Sequence, residues 1–185
     1  MSSSSLRIHD WSRLDPAGRI ALLRRPAQRD QDETMAGARA IVNRVRNGGD
    51  RALLDLTAEH DRVHLTELKV GEDEINAAAT ALSPNEKRAI EIAIGTVRAF
   101  HEAQVQQPIR VETAPGVVCE RITVPLEAIG MYVPAGTAPL PSTALMIGVP
   151  AQIAGCERRV LCTPPRRDGK ADPGVLYTAR ACGVT

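Results

Sequence analysis

Between residues 128 and 162 the chain reads AIGMYVPAGTAPLPSTALMIGVPAQIAGCERRVLC. Ala128 to Val133 is a short apolar run of strand length. Ser142 to Gly155 reads as a helix, bent or broken at Pro150, because proline removes a backbone donor. Arg159 to Cys162 is a second strand, ended by Pro164 and Pro165. Pro173 to Cys182 follows as a second helix, closed by Gly183. Strand, helix, strand, helix in that order implies parallel strands joined by right-handed crossovers. The alternation would place a third strand at Val184 and Thr185. Parallel sheets are normally covered on both faces and continued sideways, so the expectation is a chain truncated within its sheet. Leu161, Val175 and Leu176 then look for neighbours past Thr185, and residues 159–182 should be less protected than residues 84–104.

Upstream the pattern is helical. From Thr34 to Arg46, Met35, Ala38, Ile41, Val42 and Val45 recur at the spacing of one helical face. Asn47-Gly48-Gly49 stops that helix, and Asp50 caps another carrying Ala52, Leu53, Leu56 and Thr57. A third begins near Gly71, where Glu72, Asp73 and Glu74 suit a positive helix end. Ser83-Pro84-Asn85-Glu86 is a start signal with a capping box. The helix it opens should reach about Gln104 with Ile90, Ala93, Ile94, Val97 and Phe100 inward. From Gly116, Val117, Val118, Ile122 and Val124 suggest extended chain. The change of character near Pro108 divides the chain into a helical region, 1–107, and an α/β region, 108–185.

The 185 residues are 43% hydrophobic and 24% charged, with a net charge of +1, the balance of a globular domain with no global pull toward nucleic acid or membranes. Aromatics are only 2%, so the core must be built from Leu, Ile, Val and Ala. The arginine-dense stretch with Arg19, Arg24, Arg25 and Arg29 also carries Asp30, Asp32 and Glu33, and reads as a solvated charged segment. No run approaches the ~18–20 apolar residues of a membrane helix. The Ser-rich start lacks the apolar region of a secretory signal. Cys119, Cys156, Cys162 and Cys182 form no C-x-x-C pair and read as buried reduced thiols of a cytoplasmic protein.

His60-Asp61-Arg62-Val63-His64 superficially resembles a zinc-protease helix, but Asp61 stands where that motif needs Glu. The segment also lies where a helix is ending, so no metal is expected on it. His9 and His101 are isolated. The G-x-G-x-x-G dinucleotide fingerprint is missing. Gly130 to Gly136 occupies the corresponding strand-to-helix turn with different spacing, and the helix behind it offers free N–H groups to an anion. Tyr132, at the carboxyl end of a parallel strand, is where ligands bind in open α/β sheets. A core tyrosine with a satisfied hydroxyl is the equal alternative on these grounds.

The blocks Gly-Met-Tyr-Val-Pro-Ala-Gly (130–136), Pro-Ser-Thr-Ala-Leu-Met (141–146), Val-Pro-Ala-Gln-Ile-Ala-Gly-Cys (149–156) and Val-Leu-Cys-Thr-Pro-Pro (160–165) closely resemble histidinol dehydrogenase, in order and spacing. Residues 45–53 and the Phe100-His101-x-x-Gln104 helix end are similar to the same family. The resemblance implies an N-terminal helical part followed by an incomplete Rossmann-like βαβα unit. It implies an NAD-dependent zinc enzyme, a cytoplasmic homodimer that oxidises L-histidinol to L-histidine by way of the aldehyde. Tyr132 falls at the family's NAD-contacting tyrosine. The family's Pro-Gly-Gly is Pro134-Ala135-Gly136 here, and if the first glycine needs a positive φ, alanine costs on the order of 1 kcal/mol. The general-base Glu-His pair, the Gln, His, Asp and further His zinc ligands, and the other NAD contacts all fall beyond residue 185 by this resemblance. No catalytic or metal residue is therefore assigned within the chain, which alone is expected to be inactive and free of zinc. A non-catalytic relic, or a half-protein acting as an interaction module, is the alternative.

Overall fold

The computed structural model describes residues 8–23, 31–134 and 138–184. Arg24, Arg25, Arg29, Ala135, Gly136, Thr185 and the Ser-rich start lie outside them. The chain forms two compact units, Met1–Arg46 and Asn47–Thr185. In the first unit, a 3-10 turn at Trp11–Arg13 is capped by the Asp10 side chain, which accepts from the Ser12 N–H. Helix α1, Pro16–Leu23, follows, and the Arg19 guanidinium lies 5.2 Å from the Trp11 ring centroid.

Helix α2 is counted as Gln31–His60, but Gly49 inside it has φ 57° and ψ −144°. These angles are open to glycine and interrupt the helix at the predicted stop. The apolar face expected before the break is not covered: Met35, Ile41 and Val42 are exposed. After the break, Ala52 and Leu56 are buried while Leu53 is not.

In the second unit, α3 (Glu72–Ala81) begins after Gly71 with three acidic residues in its first turn. Helix α4 (Pro84–Glu102) opens on a complete capping box. The Glu86 N–H donates to Ser83 Oγ at 3.3 Å, and the Ser83 N–H donates to Glu86 Oε2 at 2.8 Å. Ile90 is buried, and Ala93, Ile94 and Val97 pack against the core of the unit. Phe100 does not turn inward as expected but is 67% exposed, its ring edge-on to His101.

Strands β1 (Ile109–Ala114) and β2 (Val117–Arg121) form an antiparallel hairpin with a register shift between Glu112 and Ala114. The extended chain at Val117 and Val118 thus has a partner strand that the sequence reading missed. Ile122 and Val124 lie outside it.

The α/β order is as read. Strand β3 (Ala128–Tyr132) pairs in parallel with β4 (Arg158–Cys162), Tyr132 opposite Cys162. Helix α5 (Pro141–Ile153) joins them and α6 (Pro173–Ala181) follows. Of a bend or a break at Pro150, the break does not occur, and α5 continues through it as one helix. Proline's missing N–H removes one rung without ending the ladder, and the Ala154 N–H still reaches the Pro150 carbonyl at 2.8 Å. Val133, Ala144 and Val175 form one buried cluster with Leu161 packed on it, and Leu145, Val149 and Cys182 form another.

Helices α5 and α6 meet closely where α5 has Gly148: a Cβ there would lie 2.8 Å from Cys182 Cβ. The expectation that α6 is poorly covered is therefore overturned. Val175 and Leu176 are buried, because α5 and α3 both pack on this helix.

Candidate functional site

The carboxyl ends of β3 and β4 lie side by side. The Val133 N–H donates to the Cys162 carbonyl at 2.9 Å, extending the pairing one residue past Tyr132. Side chains alternate across a strand. Val133 turns into the core while Tyr132 stands out, 62% exposed. The buried alternative for this tyrosine is not what the structure has.

The two helix starts beside these strand ends differ. Asp172 caps α6, its Oδ1 accepting from the Gly174 and Val175 N–H groups at 2.9 and 3.2 Å. A carboxylate already fills that positive end. Helix α5 begins after Leu140 with no side-chain cap. Of the two, α5 is the end that no side-chain carboxylate fills, and it is the next helix after β3.

The remaining candidates do not converge. His60 is the last residue of α2 and His64 lies in the loop beyond it, so the two do not share a helical face. Cys156 and Cys182 are buried free thiols, but Cys119 and Cys162 are exposed, contrary to expectation. Both occupy strand positions whose outward faces no described element covers. Burial pushes the Cys182 thiol pKa up, opposed by the charges of Arg98 and Arg159. Among the described residues, no group of three or more His, Cys, Asp or Glu side chains is gathered to hold a metal.

One feature escaped the sequence reading. An open groove of about 500 Å³ runs between α3 and α6, floored by Ala77, Ala78 and Leu176. The Ala171 N–H donates to Glu74 Oε1 at 2.8 Å beside it, and Arg166 pairs with Asp168 at 3.3 Å on its rim. Its only sequence trace is the charged run after Pro165, whose partners on α3 are distant in the chain.

The family model for histidinol dehydrogenase matches residues 23–185. The chain belongs to the histidinol dehydrogenase family. It is 51% identical over 180 residues to a histidinol dehydrogenase of Xylella fastidiosa (strain Temecula1), covering 97% of this chain and 42% of that relative. It is 43% identical over 185 residues to one of Idiomarina loihiensis, covering all of this chain and again 42% of the relative. The crystal structure of histidinol dehydrogenase from Elizabethkingia anophelis superposes with a TM-score of 0.84 at 38% identity, covering 92% of this chain and 39% of that one. This is a family of oxidoreductases, and the chain corresponds to its N-terminal part. It spans about two fifths of the length of the curated relatives it matches.

Proposed function

We propose that this chain supplies the nucleotide-facing N-terminal part of a histidinol dehydrogenase, an enzyme oxidising L-histidinol to L-histidine through the aldehyde with NAD. The observation that carries the reading is the exposed Tyr132 at the carboxyl end of a parallel strand, followed by a helix whose start no side chain caps. Open α/β sheets bind ligands at that place. Bound NAD supplies the hydride acceptor. The Tyr132 hydroxyl and ring offer it one polar and one stacking contact, and the Ser142 N–H is the backbone donor at the α5 start for its phosphates, since Pro141 has none and the Thr143 and Ala144 N–H groups donate to the Leu140 carbonyl.

The same reading makes the whole enzyme a zinc-dependent cytoplasmic homodimer. Among the described residues, no helix is long and apolar enough to cross a membrane. Zinc does not fit the side chains at hand, because no donor set is gathered among the described residues. Alcohol oxidation also needs a base within reach of the hydroxyl proton, and by the resemblance the Glu-His pair that supplies it falls beyond residue 185. The chain alone is therefore inactive on this reading.

The test has three parts. Purified chain, free of host enzyme, is incubated with L-histidinol and NAD, and NADH absorbance is followed. No rate above the blank is expected, and steady turnover refutes the inactivity. NAD is then titrated against the chain and a Tyr132→Ala variant. Binding weakened about tenfold in the variant supports the site, whereas equal affinities remove Tyr132 from it. Elemental analysis after dialysis should give well under one zinc per chain.

A further inference from the structure

Helices α3 and α6 do not close fully over each other. Ala77, Ala78 and Ala81 line the α3 side of the groove between them, with Pro173 and Leu176 opposite, and these small side chains leave about 500 Å³ open. Ala78 and Leu176 are buried, while Ala77 and Ala81 stand exposed along it.

The turn 166–171 walls the groove and is held in place. The Arg166 N–H donates to the Lys170 carbonyl at 2.8 Å and the Gly169 N–H to the Arg166 carbonyl at 2.9 Å. The Ala171 N–H ties the turn to Glu74 Oε1 on α3 at 2.8 Å. Gly169 has φ 79°, and a Cβ there would lie 3.6 Å from Leu65 and 3.8 Å from Val63, so the turn is backed by packed chain.

Five charged side chains line the groove. Three are engaged: Arg166 with Asp168 at 3.3 Å, and Glu74 with the Ala171 N–H. Asp73 and Lys170 have no side-chain partner among the described residues, and they do not pair with each other. Asp73 lies in the first turn of α3, where the helix dipole favours its ionised form. An anion and a cation that line one apolar groove without neutralising each other are complementary to a ligand carrying both charges.

We propose that this groove binds a free α-amino acid as its zwitterion, and that the amino acid is L-histidine. Asp73 and the second Glu74 oxygen meet the ammonium. Lys170, with Arg166 beside it, meets the carboxylate, and the side chain lies on the alanine row. The zwitterion class rests on the groove alone. The choice of L-histidine rests on the reaction proposed above, of which it is the product. L-Histidinol carries the same ammonium and ring but a hydroxymethyl group in place of the carboxylate, so Lys170 tells product from substrate. Neither Tyr132 nor Cys162 lines the groove, so product held here does not compete for the candidate nucleotide site.

The test is a titration of L-histidine into the isotope-labelled chain at about pH 8, where its imidazole is neutral, with amide shifts followed by NMR. Saturable shifts confined to residues 71–82 and 165–177 are expected, with a Kd on the order of 1 mM for so small a ligand in an open groove. L-Histidinol, without the carboxylate, and imidazolepropionate, without the ammonium, should each bind about tenfold more weakly, having lost a charge-assisted contact. Equal binding of either analogue overturns the proposal. So do shifts centred on residues 130–133 and 162, or the same groove shifts produced by concentrating the chain alone, which would make a second copy the occupant.

Two variants fix the site. Lys170→Met should erase the preference for L-histidine over L-histidinol. Ala77→Leu, at an exposed position, should keep the melting temperature and abolish binding by filling the groove, and binding that survives it refutes the location. L-Histidine that fails to bind a chain that still takes NAD refutes this inference alone. A chain that takes L-histidine in the groove and not NAD refutes the nucleotide site instead.

Discussion

Helix α6 and the β1–β2 hairpin are both short, both amphipathic and both in the second compact unit, yet they end in opposite environments. Gly174, Val175, Leu176, Thr178 and Ala179 of α6 are buried. Every residue of β1 and β2 is exposed. The hairpin nevertheless has a more apolar side, Ile109 and Val111 with Arg121 and Cys119 across from them, and a more polar side, where Arg110 pairs with Glu120 at 2.7 Å and Glu112 lies across from Val118. Amphipathic pattern states which side wants cover. It does not say whether the cover is in the same stretch of chain. For α6 it is, because α5 and α3 close over it. For the hairpin, no described element does so. A two-stranded hairpin without a covering layer is only marginally stable.

The strongest way to break this contrast is hydrogen exchange. Amides of β1 and β2 should exchange at least ~100-fold faster than the buried amides of α6, since opening free energies follow buried apolar contact. Hairpin protection equal to that of α6 in a monomer would show that the exposed strands are held by something the contrast leaves out. The earlier ranking, with α4 above residues 159–182, should fail in the same experiment, because α6 is more deeply packed than α4.

Substitution tests the covered side next. Gly148→Leu drives a side chain into Cys182, whose Cβ already lies 2.8 Å from where the new Cβ would sit. Overpacking of this kind costs about 1–3 kcal/mol, occasionally more. Urea titration should show the upper end of that range, because two helix backbones must separate. A loss below about 0.5 kcal/mol would mean that the α5–α6 contact is loose.

A smaller effect is expected at the cap of α4. Ser83→Ala should cost about 1 kcal/mol in thermal or urea unfolding. Hydrogen bonds from the Ser83 side chain and backbone hold the Glu86 carboxyl below its usual range. Its contribution is therefore present above the ordinary carboxylate range and is lost as the pH falls through the lowered value. The difference between wild type and Ser83→Ala should shrink in acid. A difference unchanged down to pH 3 would sink this account of the cap.

The smallest effect belongs to the exposed side. Val117→Thr, on a strand with no neighbour above it, should shift stability by less than about 0.5 kcal/mol.

What was legible in the sequence follows the same division. The capping box at Ser83, the break at Gly49, both parallel strands and the two helices after them are written in residues within a few positions of one another. The hairpin was half legible. Val117 and Val118 announced extended chain, but the alternation of Ile109 and Val111 with Arg110 and Glu112, itself a strand signal, was passed over. Phe100, Met35, Ile41 and Val42 carry apolar side chains at helical spacing, and their spacing could not tell that no described element lies opposite. Tyr132 was placed at a strand end from alternation, and its exposure adds direction to that placement. The uncapped start of α5 beside the Asp172-capped start of α6 was visible only once both helix ends had coordinates.

Arg159 gives the end of the fold a property that no single element has. Its Nε and Nη2 donate to the Gly183 carbonyl at 2.9 and 2.7 Å, and its Nη1 donates to the Cys156 carbonyl. One guanidinium thus clasps Gly183, two residues past α6, to Cys156, two residues before β4, and its bonds to Gly183 span 24 positions of sequence. Fraying of α6 from its carboxyl end must break the Arg159 hydrogen bonds to Gly183, so the helix end is tied to a β4 side chain. Lysine, with a point charge in place of the planar fork, could not hold both carbonyls in this way.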